Sequence, residues 1–229
     1  NSHLPEDELQ TAKQTLPPDV FSQEYEASFQ KTSGIVYKEF SRERNIYDKL
    51  PEGAFQKLGG IDFGYRNPAA VLDIKFDGER VYVDNEWYKR ERTDIQIAEY
   101  AASERFDAVY PDPENQSGIE ELRRKGMNVR EVSKGKGSIA GGIQKIREML
   151  LRKRLFINKR CVNLISEFEM YSYDDEKNDR NEKENPIKAN DHALDALRYV
   201  ICSILPIIQQ REKMRNLPQM PPIPHTNPV

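Results

Sequence analysis

The chain has 229 residues, with 35 basic and 38 acidic side chains, and its formal net charge is −3. This length is enough for one full-sized domain with a buried core and appended segments. The near-neutral charge excludes a uniformly basic nucleic-acid binder, and the lack of an apolar run of about 20 residues or of a signal-peptide core excludes membrane-spanning and secreted classes.

The ends of the chain differ in composition from its middle. Residues 1–56 carry scattered apolar side chains without a helical or strand period, which predicts a connecting arm. Residues 57–205 have the dense pattern of a folded domain, and residues 206–229 are rich in proline, which predicts a flexible tail. Cys161 and Cys202 lack CxxC spacing and histidine partners, which excludes a disulfide scaffold or zinc site and fits a reducing, cytoplasmic compartment.

The middle of the chain begins with three predicted strands, at 58–63, 69–76 and 81–88, with a hairpin turn at Asp77 and Gly78. A helix starting at Thr93, a strand at 108–110, a helix at 117–125 and a strand at 128–132 follow. A glycine-rich loop at 134–142 then leads to a helix at 143–152, a strand at 155–157 and helices at 162–170 and 190–205. This order predicts an α/β fold, in which an antiparallel three-strand meander and parallel strands form a mixed sheet flanked by helices.

Two strands of this sheet carry an aspartate near their carboxyl ends. Asp62 faces away from Ile61 and Phe63, and because an unpaired buried charge is costly, a cation is its natural partner. Asp112 comes just after the strand at 108–110, where open α/β sheets form ligand sites. The structural alternatives are an Asp62 satisfied by the turn that follows it and an Asp112 that serves as a turn or capping residue.

The final predicted helix carries two more aspartates. Asp191, Asp195 and Arg198 fall on one stripe, at the border of the apolar arc that faces the sheet. Capping explains Asp191, and a pair with Arg198 is the structural alternative for Asp195. His192 points away from this stripe, as a surface or supporting group usually does.

Three segments, in this order, resemble the nuclease domain of tailed-bacteriophage large terminase subunits. They are IDFGY at 61–65, YPDPE at 110–114 and NDHALDALRY at 190–199. Residues 21–29 and 34–37 also resemble the segment that joins a terminase motor ATPase to its nuclease. The chain has no G-x-x-x-x-G-K-[ST] motif, so we expect it to be the nuclease half without the ATPase.

The resemblance implies an RNase H-like fold and a metal-dependent endonuclease that cuts concatemeric double-stranded viral DNA in the cytoplasm of the infected host. It also implies a small terminase subunit, a portal and a procapsid as partners, and we expect the isolated domain to be a monomer. Carried over by position, Asp62 and Asp112 match the first two metal-binding acids. The third falls on Asp195 as first choice and Asp191 as second, with His192 as a helper.

Carboxylates without a cysteine or histidine cluster favour Mg²⁺ or Mn²⁺, and two ions about 3.5–4 Å apart supply the chemistry of phosphodiester hydrolysis. Lys134 and Lys136, in the glycine-rich loop before a helix, are predicted contacts to the DNA backbone, with a solvated loop as the alternative.

Two other functions stay open at this point. One is a different RNase H-like nuclease of the resolvase or transposase type, which cleavage of branched against linear DNA would separate. The other is a non-catalytic module that docks on a portal or capsid, which a titration with divalent metal would separate.

Overall fold

The computed structural model describes residues 34–132, 138–173, 186–187 and 189–215. The strands, in chain order, are β1 (Ile46–Tyr47), β2 (Gln56–Asp62), β3 (Ala69–Phe76), β4 (Val81–Lys89), β5 (Ala108–Pro111) and β6 (Leu155–Asn158). The helices are α1 (Arg42–Asn45), α2 (Asp94–Ser103), α3 (Gln116–Arg124), α4 (Ser138–Leu151), α5 (Val162–Met170) and α6 (His192–Arg215).

The strands form one mixed sheet in the order β1-β6-β4-β3-β2-β5. β2, β3 and β4 are an antiparallel meander. β5 runs parallel to β2, and β6 runs parallel to both β4 and β1. The predicted meander with added parallel strands and flanking helices is confirmed, and β2 and β5 end at the same edge of the sheet.

Helices cover both faces of the sheet because its strands are apolar on both sides. On one face α4, α5 and α6 pack against the sheet through a large cluster that includes Leu58, Phe168 and Leu197. On the other face α2 and α3 pack through a smaller cluster that includes Ile61 and Ile97. Since side chains alternate along a strand, the positions of Leu58 and Ile61 direct Asp62 to the α6 side.

Helix α6 lies directly on strand β2. A methyl group at Gly60 would overlap the backbone carbonyl of Ala196, so only glycine lets the helix approach this closely. The contact lies two residues before the end of β2 and one turn inside α6. It therefore brings the first turn of α6 to the carboxyl end of β2.

The predicted arm differs from the structure in its last part. Val36 and Tyr37 are 1% and 2% exposed and belong to the large core cluster. β1 adds an edge strand to the sheet beside β6. A two-residue strand among charged residues has no period to detect, which is why the sequence predicts an arm as far as residue 56. Residues 21–29 lie outside the described residues.

Helix α6 continues to Arg215, although it was predicted to end at residue 205 with a tail beginning at Pro206. Pro206 has no N–H to offer the carbonyl of Cys202, and Lys145 Nζ lies 3.5 Å from that oxygen instead. Ile208 is 1% exposed, and Glu212 pairs with Arg154, so packing beyond the proline outweighs its helix-breaking effect.

Two predicted elements between β5 and β6 have different bounds. The strand predicted at 128–132 forms a single bridge, between Val109 and Val129. Helix α4 begins at Ser138, five residues before the predicted start at 143. Gly141 and Gly142 lie within the helix, and glycines there predict a loop. Of the helices in the described part of the chain, none is long and apolar enough to cross a membrane.

Candidate active site

Asp62, the last residue of β2, is the centre of the site. The residue is 7% exposed, and its Oδ2 lies 3.0 Å from Nδ1 of His192. Burial raises the pKa of Asp62 to about 6; the hydrogen bond from His192 lowers it, and the charges of Asp195 and Asp112 raise it. A cation that binds beside Asp62 would therefore stabilise the deprotonated carboxylate.

His192, the first residue of α6, is directed toward the site rather than away from it. Its hydrogen bond to Asp62 raises the pKa of the imidazole, with burial acting in the opposite direction. The raised pKa shifts the imidazole toward its protonated form, in which Nδ1–H donates to Asp62. The prediction from the helical stripe, that His192 points away from the site, is wrong. His192 is the first residue of α6, and the first turn of this helix lies beside the end of β2, so the side chain reaches Asp62.

Asp112 follows β5 directly. Its backbone N–H donates to the carbonyl of Ile61 at 2.9 Å, so the β5–β2 pairing continues and seats Asp112 beside Asp62. Its Oδ1 accepts the N–H of Glu114 at 3.0 Å, which confirms the predicted turn interaction. The charge of Asp112 raises the pKa of both Asp62 and Asp195, so it acts on the same site.

Asp195 lies one turn inside α6. Its Oδ1 is 2.6 Å from the guanidinium of Arg198, which confirms the predicted pair. Burial raises the pKa of Asp195, Arg198 lowers it, and the charges of Asp191 and Asp112 raise it. Asp191 immediately precedes the helix, and its carbonyl accepts the N–H of Asp195 at 2.7 Å.

A cleft of about 610 Å³ brings most of the predicted site residues together. Its lining includes Asp62, Asp191, His192 and Asp195. Asp112 lies beside the cleft, outside its lining, and Lys134 and Lys136 lie outside the described residues. The remaining walls come from the turn between β2 and β3, the end of β4 and the residues before α6, namely Phe63, Gly64, Tyr65, Arg66, Asn67, Pro68, Arg90, Ala189 and Asn190.

Within the described ranges, no three carboxylate, imidazole or thiol groups are arranged so that they could hold a metal ion as they stand. Two of the acids already have basic partners, His192 for Asp62 and Arg198 for Asp195. An incoming ion would compete with these partners. The donors themselves are carboxylate oxygens, the ligands that Mg²⁺ and Mn²⁺ prefer.

The sequence analysis did not single out Glu167, Arg66 or Arg90. Glu167 is 2% exposed and binds the start of α6. The sequence does contain a signal for Glu167: it lies three residues after Leu164 and one before Phe168, so an acid stands on the apolar face of the helix. Arg66 and Arg90 are exposed side chains on the cleft wall, and surface arginines in turns carry no signal that separates them from others.

Comparison with known proteins identifies this arrangement. The family model of the terminase RNase H-like domain matches residues 62–202. The large terminase subunit of Escherichia phage T5 is 30% identical over 214 residues, which cover 86% of this chain and 48% of that protein. The chain thus spans about half the length of this relative.

Two solved structures share the fold. The nuclease domain of the phage P22 large terminase superposes with a TM-score of 0.64 at 21% identity, covering 76% of this chain and 93% of that one. The large terminase nuclease domain of bacteriophage SPP1, solved with bound Mn, has a TM-score of 0.54 at 20% identity and covers 71% and 95%. These neighbours confirm the RNase H-like fold, and since the family model covers more than half of the sequence, the chain belongs to the terminase RNase H-like domain family.

Proposed function

We propose that the chain is the metal-dependent endonuclease domain of a viral DNA-packaging terminase, which cuts concatemeric double-stranded DNA. One observation carries the proposal. Carboxylates from the end of β2, the residue after β5 and the start of α6 meet at one edge of the sheet, where the charge of Asp112 raises the pKa of both Asp62 and Asp195, and the charge of Asp195 raises that of Asp62. Family membership and the manganese bound by the SPP1 nuclease domain support it.

In the proposed site, Asp62, Asp112 and Asp195 hold two Mg²⁺ or Mn²⁺ ions, with Asp191 as the second choice for the third ligand. When bound, such ions activate a water, neutralise phosphate charge and assist the leaving 3′-oxygen. The protein contributes the arrangement of oxygen ligands. Burial disfavours a charged Asp62 without a cation, so this acid is prepared to exchange the His192 contact for a stronger one.

His192 holds the Asp62 carboxylate in one orientation through Nδ1 and keeps a proton at the cleft wall. Arg66 and Arg90 supply positive charge on the same wall, where they can contact phosphates on either side of the bond to be cut. Lys134 and Lys136 stay proposed contacts to the DNA backbone.

The proposed partners are DNA, the small terminase subunit, the portal and the procapsid, and the proposed place of action is the cytoplasm of the infected host cell. The T5 relative is a terminase large subunit, which supports this assignment.

A plasmid assay tests the proposal. Supercoiled plasmid incubated with the protein should become nicked and then linear with Mn²⁺ or Mg²⁺, and stay supercoiled with EDTA. Asp62→Asn should abolish cleavage and leave the fold intact, because it removes a charge that burial and neighbouring acids disfavour.

Asp48→Asn is the matched control, since Asp48 is an exposed acid whose partner is Lys159. It should cut at the wild-type rate. Wild-type cleavage by Asp62→Asn, or cleavage that persists in EDTA, would overturn the proposed site.

A further inference from the structure

Glu167 is a buried acid that the proposed chemistry does not use. It lies near the end of α5, and only 2% of the residue is exposed. Its Oε2 accepts the backbone N–H of Leu194 at 2.8 Å, and its Oε1 accepts the hydroxyl of Tyr88 at 2.9 Å. One carboxyl group therefore joins β4, α5 and the first turn of α6.

The Leu194 contact is the one that a helix cap normally makes. The first N–H groups of a helix have no partner within the helix, and the side chain of the residue before it commonly accepts the N–H two or three positions on. Before α6 that residue is Asp191, and Leu194 is three positions on. Its N–H is taken by Glu167, from 27 positions earlier in the chain.

The consequence concerns Asp191. Among the described residues, its carboxylate accepts no hydrogen bond, and the residue lines the cleft together with Asp62. Had Asp191 capped its own helix, its side chain would turn back onto the backbone and away from the cleft. Because Glu167 already takes the Leu194 N–H, Asp191 does not have to turn onto the helix backbone to cap it.

We propose that Glu167 is a positioning residue, which caps α6 from outside and thereby fixes Asp191, His192 and Asp195 relative to Asp62. The effect on metal binding rests on the proposed nuclease function, whereas the cap itself does not. Glu167 is too deeply buried to touch substrate, and it acts through the backbone of α6.

The test combines hydrogen exchange with metal titration. In Glu167→Ala, the amide of Leu194 should exchange at least about tenfold faster, and calorimetry should show Mn²⁺ affinity about tenfold lower, as for other residues that orient metal ligands. Glu167→Gln should restore both, because its amide oxygen can accept from Leu194 while its NH₂ donates to the Tyr88 oxygen.

Thr93→Ala is the matched control. Thr93 caps α2, where its hydroxyl accepts the N–H of Gln96 at 3.3 Å, and α2 carries none of the proposed ligands. This variant should lose stability as a cap variant does and keep wild-type Mn²⁺ affinity. A general loss of stability is thereby separated from misplacement of α6.

Unchanged exchange at Leu194 in Glu167→Ala would overturn the cap, and faster exchange with wild-type Mn²⁺ affinity would overturn the positioning role. If the wild-type protein binds no Mn²⁺, the proposed function fails, while the exchange comparison still decides the cap. Should Glu167→Ala fail to fold, Glu167→Asp, with the same charge on a shorter side chain, gives the same comparison.

Discussion

Asp195 and Arg198 form an ion pair in which the basic partner is almost fully buried. Arg198 is 5% exposed, and its charge partly offsets the rise that burial causes in the pKa of Asp195. Removal of the acid leaves a buried guanidinium without this partner, which is more costly than the loss of a surface pair. Asp195 therefore contributes to stability as well as to the proposed metal site.

We predict that Asp195→Ala abolishes Mn²⁺ binding and lowers the metal-free unfolding free energy by about 1–3 kcal/mol. Asp191→Ala should change that free energy by less than about 0.5 kcal/mol, because Glu167 already holds the Leu194 N–H. Urea denaturation and calorimetric titration of both variants check this. Equal stability losses would show that Asp191 does act as a cap, and loss of Mn²⁺ binding in Asp191→Ala alone would make Asp191 the third ligand.

The sequence could identify these acids but could not rank their contributions to stability. Asp191 has the position of a cap, and local reasoning assigns it an average capping contribution of about 1 kcal/mol. The group that takes that place comes from another helix, so no local pattern reveals it. Likewise, the helical stripe predicted the pair of Asp195 with Arg198 correctly, because both residues belong to one helix, and misdirected His192, whose partner lies on β2.

Helix α4 approaches α6 closely at a pair of adjacent glycines. A methyl group at Gly142 would overlap the Arg198 side chain, whereas one at Gly141 would meet nothing within 4 Å. The two positions share a helix and differ only in what they face. Comparing substitutions at the two positions therefore measures how tightly α4 packs against the Arg198–Asp195 pair.

Gly141→Ala should stabilise the protein by about 0.5–1 kcal/mol, because alanine favours the helical conformation and fits here without a clash. Gly142→Ala should destabilise it by about 1–3 kcal/mol and reduce plasmid cleavage, because Arg198 must move and Asp195 with it. Thermal melts and initial cleavage rates of both variants check the pair. If the Gly142→Ala protein is as stable and as active as Gly141→Ala, the prediction is wrong, and Arg198 can move without loss of stability or activity.

The elements themselves could largely be predicted, for physical reasons that differ from one to the next. β3 and α5 have the predicted bounds because β3 is a mostly apolar run of strand length between two turns, and the apolar residues of α5 recur with the helical spacing. The end of α6 could not be predicted, since Pro206 breaks a helix unless tertiary packing restores it, as Ile208 does here. β1 is too short for any period.

The buried titratable groups of the site make folding stability depend on pH in the same direction. Burial raises the pKa of Asp62 to about 6 and of Glu167 to about 8, and it also raises that of Asp195, while the pKa of His192 is raised by its bond to Asp62. In each case the folded protein holds a proton that the unfolded chain releases at lower pH. The contribution of these groups to stability is thus greatest at acid pH and is lost as pH rises through these folded values.

We predict that the metal-free melting temperature falls by roughly 5–10 °C between pH 5 and pH 8. Burial raises the pKa of Glu39, but its hydrogen bonds and the charges of Arg147 and Lys38 together outweigh burial and lower it. Glu39 therefore acts the opposite way, at a pH below the ordinary range of a glutamate and hence outside this window. Asp62→Asn should flatten the slope near pH 6, and Mn²⁺ should stabilise more at pH 8 than at pH 6, because it binds the deprotonated acids. A melting temperature that rises from pH 5 to pH 8 without metal would contradict the assignment.

DNA binding should depend on arginines at the cleft. Arg66→Ala with Arg90→Ala should weaken DNA binding and reduce the slope of log K against log salt by about 0.9 for each phosphate that the protein no longer neutralises. Arg80→Ala with Arg211→Ala is the control, because Arg80 directly precedes β4 and Arg211 of α6 lies beside Gly78, both at the end of the sheet away from Asp62. Fluorescence anisotropy over a salt series measures both slopes, and equal slopes in the two double variants would remove Arg66 and Arg90 from the DNA path.

The contact between Asp62 and His192 joins residues 130 positions apart. During synthesis, at about 5–20 residues per second, β2 to β4 leave the ribosome many seconds before α6. Until that helix docks, Asp62 stands at an open strand end without its imidazole partner or the acids of α6. For a chain with the proposed activity, the nascent protein cannot cut the nucleic acid around it, and cleavage of DNA begins only when α6 has docked on β2.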